Sequence, residues 1–235
     1  LLQLGRDLTA ARRLPEARGA FRAAEALAPE DAQIPYALGL LALQAEDYLD
    51  AKAALARALE KRFADTDAVH MALGQAAEGA KQPAEAIEWY GKVESDRVKA
   101  QVRAASVISR QQGLDMAREH LRGIKPGQPD EQRLVLQAEA QLLREAKAWR
   151  EAFDVLSGAI EQHPDAFELL YDRAMVAERL GETARLEADL RRVIELKPDY
   201  AHAYNALGYT LADRNERIDE AYALIAKAVA LAPED

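Results

Sequence analysis

Cysteine is missing altogether from the 235 residues. Its absence excludes disulfide frameworks, thiolate zinc sites and cysteine nucleophiles, but leaves the redox compartment open, because a thiol-free chain suits cytosol and periplasm equally. Long apolar runs are missing too. No stretch of eighteen or more apolar residues offers a membrane-spanning helix, and residues 1–8 have neither the basic start nor the cleavage site of a signal peptide. Positive charge is in deficit, 31 Lys and Arg against 40 Asp and Glu, and a net charge of −9 argues against general binding to phosphate backbones. Aromatics are sparse at 6%, and 12 Gly with 9 Pro are too few for collagen or a flexible linker. What is present, 49% apolar and 30% charged residues, suffices to build a core.

The apolar residues repeat. One column holds small residues at Gly5, Gly39, Gly74, Ala105, Ala140, Ala174 and Gly208, at steps of 34, 35, 31, 35, 34 and 34. A second column follows at Ala17, Ala51, Ala86, Ala117, Ala152, Leu186 and Ala221, and a bulky one at Phe21, Leu55, Tyr90, Leu121, Leu156, Leu190 and Ile225. Each unit thus predicts two amphipathic helices split by a short polar turn such as Glu46-Asp47, Gly113 or Gly181. Small residues let the second helix cross closely, and the bulky column is expected to fill the space between neighbouring units. Pro29, Pro129, Pro164, Pro198 and Pro233 are expected to close units, since proline cannot continue the hydrogen-bond ladder.

On these columns the sequence resembles the tetratricopeptide repeat family. The last unit carries the pattern most fully, in Tyr204, Leu207, Gly208, Leu211, Ala221, Ile225, Ala228 and Pro233. The resemblance implies an all-α, right-handed superhelical solenoid of about seven helix-turn-helix repeats. It divides the chain near 1–31, 32–66, 67–97, 98–132, 133–166, 167–200 and 201–235. Departures cluster in the middle. Glu139 and Arg173 stand where Leu is expected, and the 31-residue step predicts a shortened loop or helix before the fourth unit. Gly123, Pro126, Gly127 and Pro129 mark a soft point. Both ends read as cut from a longer chain, and their uncovered apolar faces are expected to self-associate.

Catalytic patterns are not found. The four histidines sit in four units and read as surface or groove residues, and no phosphate loop, dinucleotide fingerprint or nucleophile elbow occurs. Residues 213–220 read as a charged turn, because the run lacks the turn glycine of a calcium loop. Acid pairs such as Glu30-Asp31 and Asp130-Glu131 read as complements to helix N-termini. No metal, cofactor or catalytic residue is therefore assigned.

The resemblance also implies that the first helix of each repeat lines a concave face. Offsets of −3, +1 and +4 from the small column then nominate the groove residues. Leu2, Tyr36, Leu40, Leu43 and Met71 form an expected apolar trough, and Tyr171, Met175, Asn205 and Tyr209 an expected mixed site. Between them, Lys99, Arg103, Ser106 and Arg110 share a basic stripe suited to an acidic partner segment. Carboxylate-clamp repeats need Lys, Asn and Arg at groove positions, and the pairs here, Leu2 with Arg6 and Tyr36 with Leu40, lack that set.

The leading functional reading is a non-catalytic scaffold that binds a protein or peptide in its groove. Residues 169–235, through Leu170-Tyr171-Asp172-Arg173-Ala174 and the stretch from Asn205 to Arg214, resemble Gram-negative outer-membrane repeat lipoproteins. That resemblance implies an adaptor for a periplasmic carboxyl-terminal processing protease and its substrates, on a lipid-anchored full-length chain. The alternatives are a cytoplasmic protein and the repeat region of a larger enzyme, such as a glycosyltransferase or kinase. RNA reading ranks last, since only one stretch is basic; this segment is expected to touch neither nucleic acid nor membrane.

Overall fold

The computed structural model describes residues 1–233, so the last two residues of the seventh expected repeat, Glu234 and Asp235, lie outside the described residues. Fourteen helices and no strand are found among the described residues. The chain divides into two compact units, Leu1–Lys125 and Pro126–Asp235, at the Gly- and Pro-rich segment expected to be soft.

The first unit holds α1 (Leu2–Ala10), α2 (Leu14–Leu27), α3 (Gln33–Gln44), α4 (Tyr48–Glu60), α5 (Thr66–Gly79), α6 (Pro83–Gly91), α7 (Arg97–Gln112) and α8 (Leu114–Gly123). The second holds α9 (Pro129–Glu145), α10 (Trp149–Gln162), α11 (Phe167–Leu180), α12 (Thr183–Leu196), α13 (Ala201–Asp213) and α14 (Ile218–Leu231). Odd and even helices pair as hairpins, and within each unit every hairpin packs on the next. In the first unit α1 also meets α3, and α3 meets α5, so first helices form a row.

The small column works inside each hairpin. A Cβ added at Gly5 would lie 2.3 Å from the Phe21 ring, and one at Gly74 would lie 2.4 Å from the Tyr90 ring. The bulky residue of the second helix thus lies directly on the small residue of the first, a correction to its expected place between units. Burying each such side chain contributes about 2–3 kcal/mol. α6 is nine residues long where α2 and α4 have 14 and 13, which accounts for the short step in the repeat.

Six of the seven hairpin turns share one device, the α7–α8 turn at Gly113 being the exception. Arg12, Glu46, Lys81, Lys147, Gly181 and Asn215 all take positive φ, between 55° and 71°. The residue after each donates back across the turn, as Asp47 N–H does to the Ala42 carbonyl at 2.8 Å and Gln82 N–H to Ala77 at 2.8 Å. This six-to-one bond satisfies a carbonyl that the helix end leaves open.

Prolines divide by role. Pro29, Pro164 and Pro198 lie just beyond α2, α10 and α12, whereas Pro129 opens α9. There its missing N–H is one the first turn would not use, and the Gln128–Glu131 capping box completes the start. α9 therefore begins four residues before 133, inside the fourth expected repeat.

Two polar arrangements sit within the helical packing. Arg173, one of the departures from Leu, is buried and donates bidentately to Asp189 of α12 at 2.8 Å twice, with a third bond to Ser157 of α10 at 3.1 Å. Trp89 of α6 stacks on His70, lies under the Lys92 ammonium at 3.9 Å, and donates to Glu85 at 3.2 Å. The second indole, Trp149, starts α10.

Candidate functional site

A groove of about 850 Å³ opens in the first unit between α1 and α3 and along the residues that lead into α5. α3 supplies its floor because its sequence, rich in Leu and Ala, is apolar on more than the face that packs against α4. Ile34 and Leu38 turn into the core, which leaves Tyr36, Ala37 and Leu40, with the buried Leu41 beneath them, to line the groove. Leu40 is 41% exposed on that floor. Phe63 follows α4 and stacks on Tyr36, ring centroids 4.3 Å apart, so two aromatic rings make one wall. Burial, together with the Asp65 carboxylate, raises the Tyr36 phenol above its ordinary pKa and keeps it a neutral donor. Arg6 and Thr9 of α1 form the opposite edge. Such a surface suits apolar and aromatic side chains with a few polar fixings.

Of the trough expected from the sequence, Tyr36 and Leu40 reach this groove. Leu43 instead packs among Leu55, Val69 and Leu73, Met71 packs against the Tyr90 cluster, and Leu2 packs against the Phe21 cluster. The wall supplied by Phe63 and Asp65 was not anticipated. Its one sequence signal is an aromatic placed three residues past the end of a second helix, where a solvated loop would be polar.

The basic stripe is largely spent on the fold. Arg110 pairs with Glu78, which in turn accepts from the Tyr90 hydroxyl at 3.0 Å. Tyr90 is fully buried, and desolvation first, then the Glu78 charge, pushes its phenol up to about 12 against the pull of Arg103. Arg103 and Arg110 are thus committed to one network, and Lys99 is left exposed on α7.

In the second unit the expected mixed site separates into two layers. Tyr171 and Met175 pack against the core between α11 and α13, and Tyr171 meets Tyr200 edge-on at 5.3 Å, with Phe167 and His202 completing an aromatic cluster. Asn205 and Tyr209 remain exposed on α13, Tyr209 at 63%. Between α9 and α11, Arg144 donates to Asp172 at 2.6 Å, and burial holds the Asp172 carboxyl above its ordinary pKa despite that cation.

The histidines are less superficial than expected. His70 Nδ1, His120 Nε2 and His163 Nε2 are buried without a hydrogen-bond partner among the described residues, and the His70 ring stacks on Trp89. No helix among the described residues is long and apolar enough to cross a membrane.

Comparison with known proteins agrees with the hairpin pattern. Two family models, both described as tetratricopeptide repeat, match residues 2–48 and 36–96 and residues 201–235. A TPR repeat-containing protein of Pseudomonas aeruginosa is 39% identical over 171 residues, 72% of this chain but only 29% of the relative's length. Among solved structures, the C-terminal part of a TPR repeat-containing protein from Cytophaga hutchinsonii aligns over 100% of this chain and 96% of its own, with a TM-score of 0.61 at 17% identity. A tetratricopeptide repeat protein from Parabacteroides merdae aligns over 98% and 91%, with a TM-score of 0.61 at 16% identity. These structural likenesses speak for the fold.

Proposed function

The chain belongs to the tetratricopeptide repeat family, and from that premise we propose that it is an interaction scaffold whose main polypeptide-binding site is the α1–α3 groove. One observation carries this reading: a continuous apolar floor with a two-ring wall, left open in a unit whose other large side chains are mostly buried. The Tyr209 and Asn205 face of α13 is a second contact area, where phenol and amide groups suit a peptide backbone.

The fuller form of the proposal is an adaptor that presents substrates to a carboxyl-terminal processing protease in the periplasm. The segments 169–235 described above support it, as does the relative in a Gram-negative bacterium. Reconstitution tests it: a purified protease of that class should cleave an adaptor-bound substrate faster with this chain present, and an unchanged rate refutes the adaptor role. Association through uncovered apolar faces belongs to the same proposal. α14 exposes Ile218, Tyr222 and Val229 along one stripe, so Tyr222→Asp should reduce concentration-dependent association in light scattering.

Groove occupancy is tested by selecting binders from a random peptide library displayed on phage. Leu40→Glu puts a charge on the floor without disturbing the core, and should weaken selected peptides at least about tenfold at unchanged helicity. Peptides indifferent to Leu40→Glu would place the site elsewhere.

A further inference from the structure

We infer that the α1–α3 groove selects internal peptide segments that pair a large apolar side chain with a nearby Asp or Glu. The inference rests on the groove being the binding site proposed above, and adds the charge of what enters it. Four charged residues line the groove, Arg6 and Arg62 against Asp31 and Asp65. By formal count they cancel, but the two signs are not equally available to a ligand.

Both carboxylates are already engaged. Asp31 accepts the Gln33 N–H at 2.9 Å, and Asp65 accepts the Ala68 N–H at 2.9 Å, so each satisfies a first-turn N–H, of α3 for Asp31 and of α5 for Asp65. There the positive end of the helix dipole offsets the negative charge. The cations are freer. The Arg6 side chain makes one bond, to the neutral Gln33 amide oxygen at 3.1 Å, and the Arg62 guanidinium makes no hydrogen bond or ion pair among the described residues, although its backbone N–H donates to the Leu59 carbonyl. In the same unit Arg18, Arg57 and Arg110 each meet a carboxylate. Two guanidinium groups without acid partners beside an apolar floor therefore give this groove a local positive bias within a chain of net charge −9.

A guanidinium takes a carboxylate through two parallel N–H donors, and the Tyr36 hydroxyl adds an O–H donor in the same groove. Leu40, Ala37 and the Tyr36–Phe63 stack take the apolar side chain. The two arginines sit on separate elements, α1 and the turn after α4, so side-chain carboxylates from a segment passing through the groove suit them better than one terminal carboxylate held in a tight cradle.

The display experiment described above tests the charge directly, because its peptides are fused to the coat protein at their C-termini and offer no terminal carboxylate. Enriched sequences should place Asp or Glu within a few residues of Phe, Leu, Ile or Tyr. A synthetic amidated peptide of that sequence should bind the chain, and lose about tenfold or more with Arg6→Glu/Arg62→Glu. The charge-reversed chain should itself enrich Lys and Arg. Enriched peptides that are neutral or basic, or affinities blind to the reversal, overturn the inference while leaving the groove as the site provided Leu40→Glu still abolishes binding. Peptides that ignore Leu40→Glu overturn groove and charge together.

Discussion

Gly74 shows how much one missing side chain carries. A Cβ there would press on a buried Tyr90 ring whose hydroxyl is tied to Glu78, so the ring has no easy retreat. Gly74→Ala should destabilise by about 1–3 kcal/mol in chemical denaturation, through overpacking. Gly19 in α2 has nothing within 4 Å, and there the same replacement should stabilise by about 0.5–1 kcal/mol through backbone entropy and helix propensity. Equal signs at the two sites would refute the packing account of the small column. Tyr90 makes a second prediction. Its phenol ionises near 10 when unfolded and at about 12 when folded, so the folded state keeps the proton longer. Its contribution is complete below pH 10 and is lost as pH rises toward 12, a fall of about 2–3 kcal/mol that Tyr90→Phe should remove. Denaturant titrations of both proteins across that range check it.

At the scale of helices and hairpins, much was legible because two kinds of column, small and bulky, recur at nearly constant spacing. The 31-residue step signalled a shortened loop or helix, and the nine-residue α6 shows that the helix is what shortens. The groove was only half legible, for a geometric reason. Successive helical residues turn by about 100°, so offset +1 lies farther round from the buried column than offsets −3 and +4. Leu40 and Tyr209, at +1, are exposed, and Leu43 at +4 and Met71 and Tyr171 at −3 lean back into the packing. Met175 at +1 is packed, whereas Tyr36 and Asn205 at −3 face outward, because the neighbouring helix differs from unit to unit. The wall formed by Phe63 comes from chain beyond a second helix, which a count along first helices does not reach. Arg173 was legible as a departure, but not its partner Asp189 on the next helix. Removing one member leaves a buried charge alone, so Asp189→Ala should destabilise by about 3–5 kcal/mol. Replacing both by Leu should be near neutral or stabilising. If the double variant falls as far as the single one, the pair is needed for the packing of α10, α11 and α12 itself.

For the whole chain, the division after Lys125 makes a prediction about autonomy. The groove and all the residues that line it belong to the first unit, which has its own buried clusters around Phe21, Leu55 and Tyr90. Residues 1–125 alone should therefore unfold cooperatively and bind selected peptides within about twofold of the full chain. A first unit that is unfolded alone, or that folds without binding, would make the second unit a requirement and not an attachment. The two tryptophans give a means of following this. Trp89 sits in the first unit and Trp149 in the second, one indole to each. Replacing either by Phe leaves a chain whose intrinsic emission reports on one half only, so melting of the halves can be timed separately, without attaching a dye.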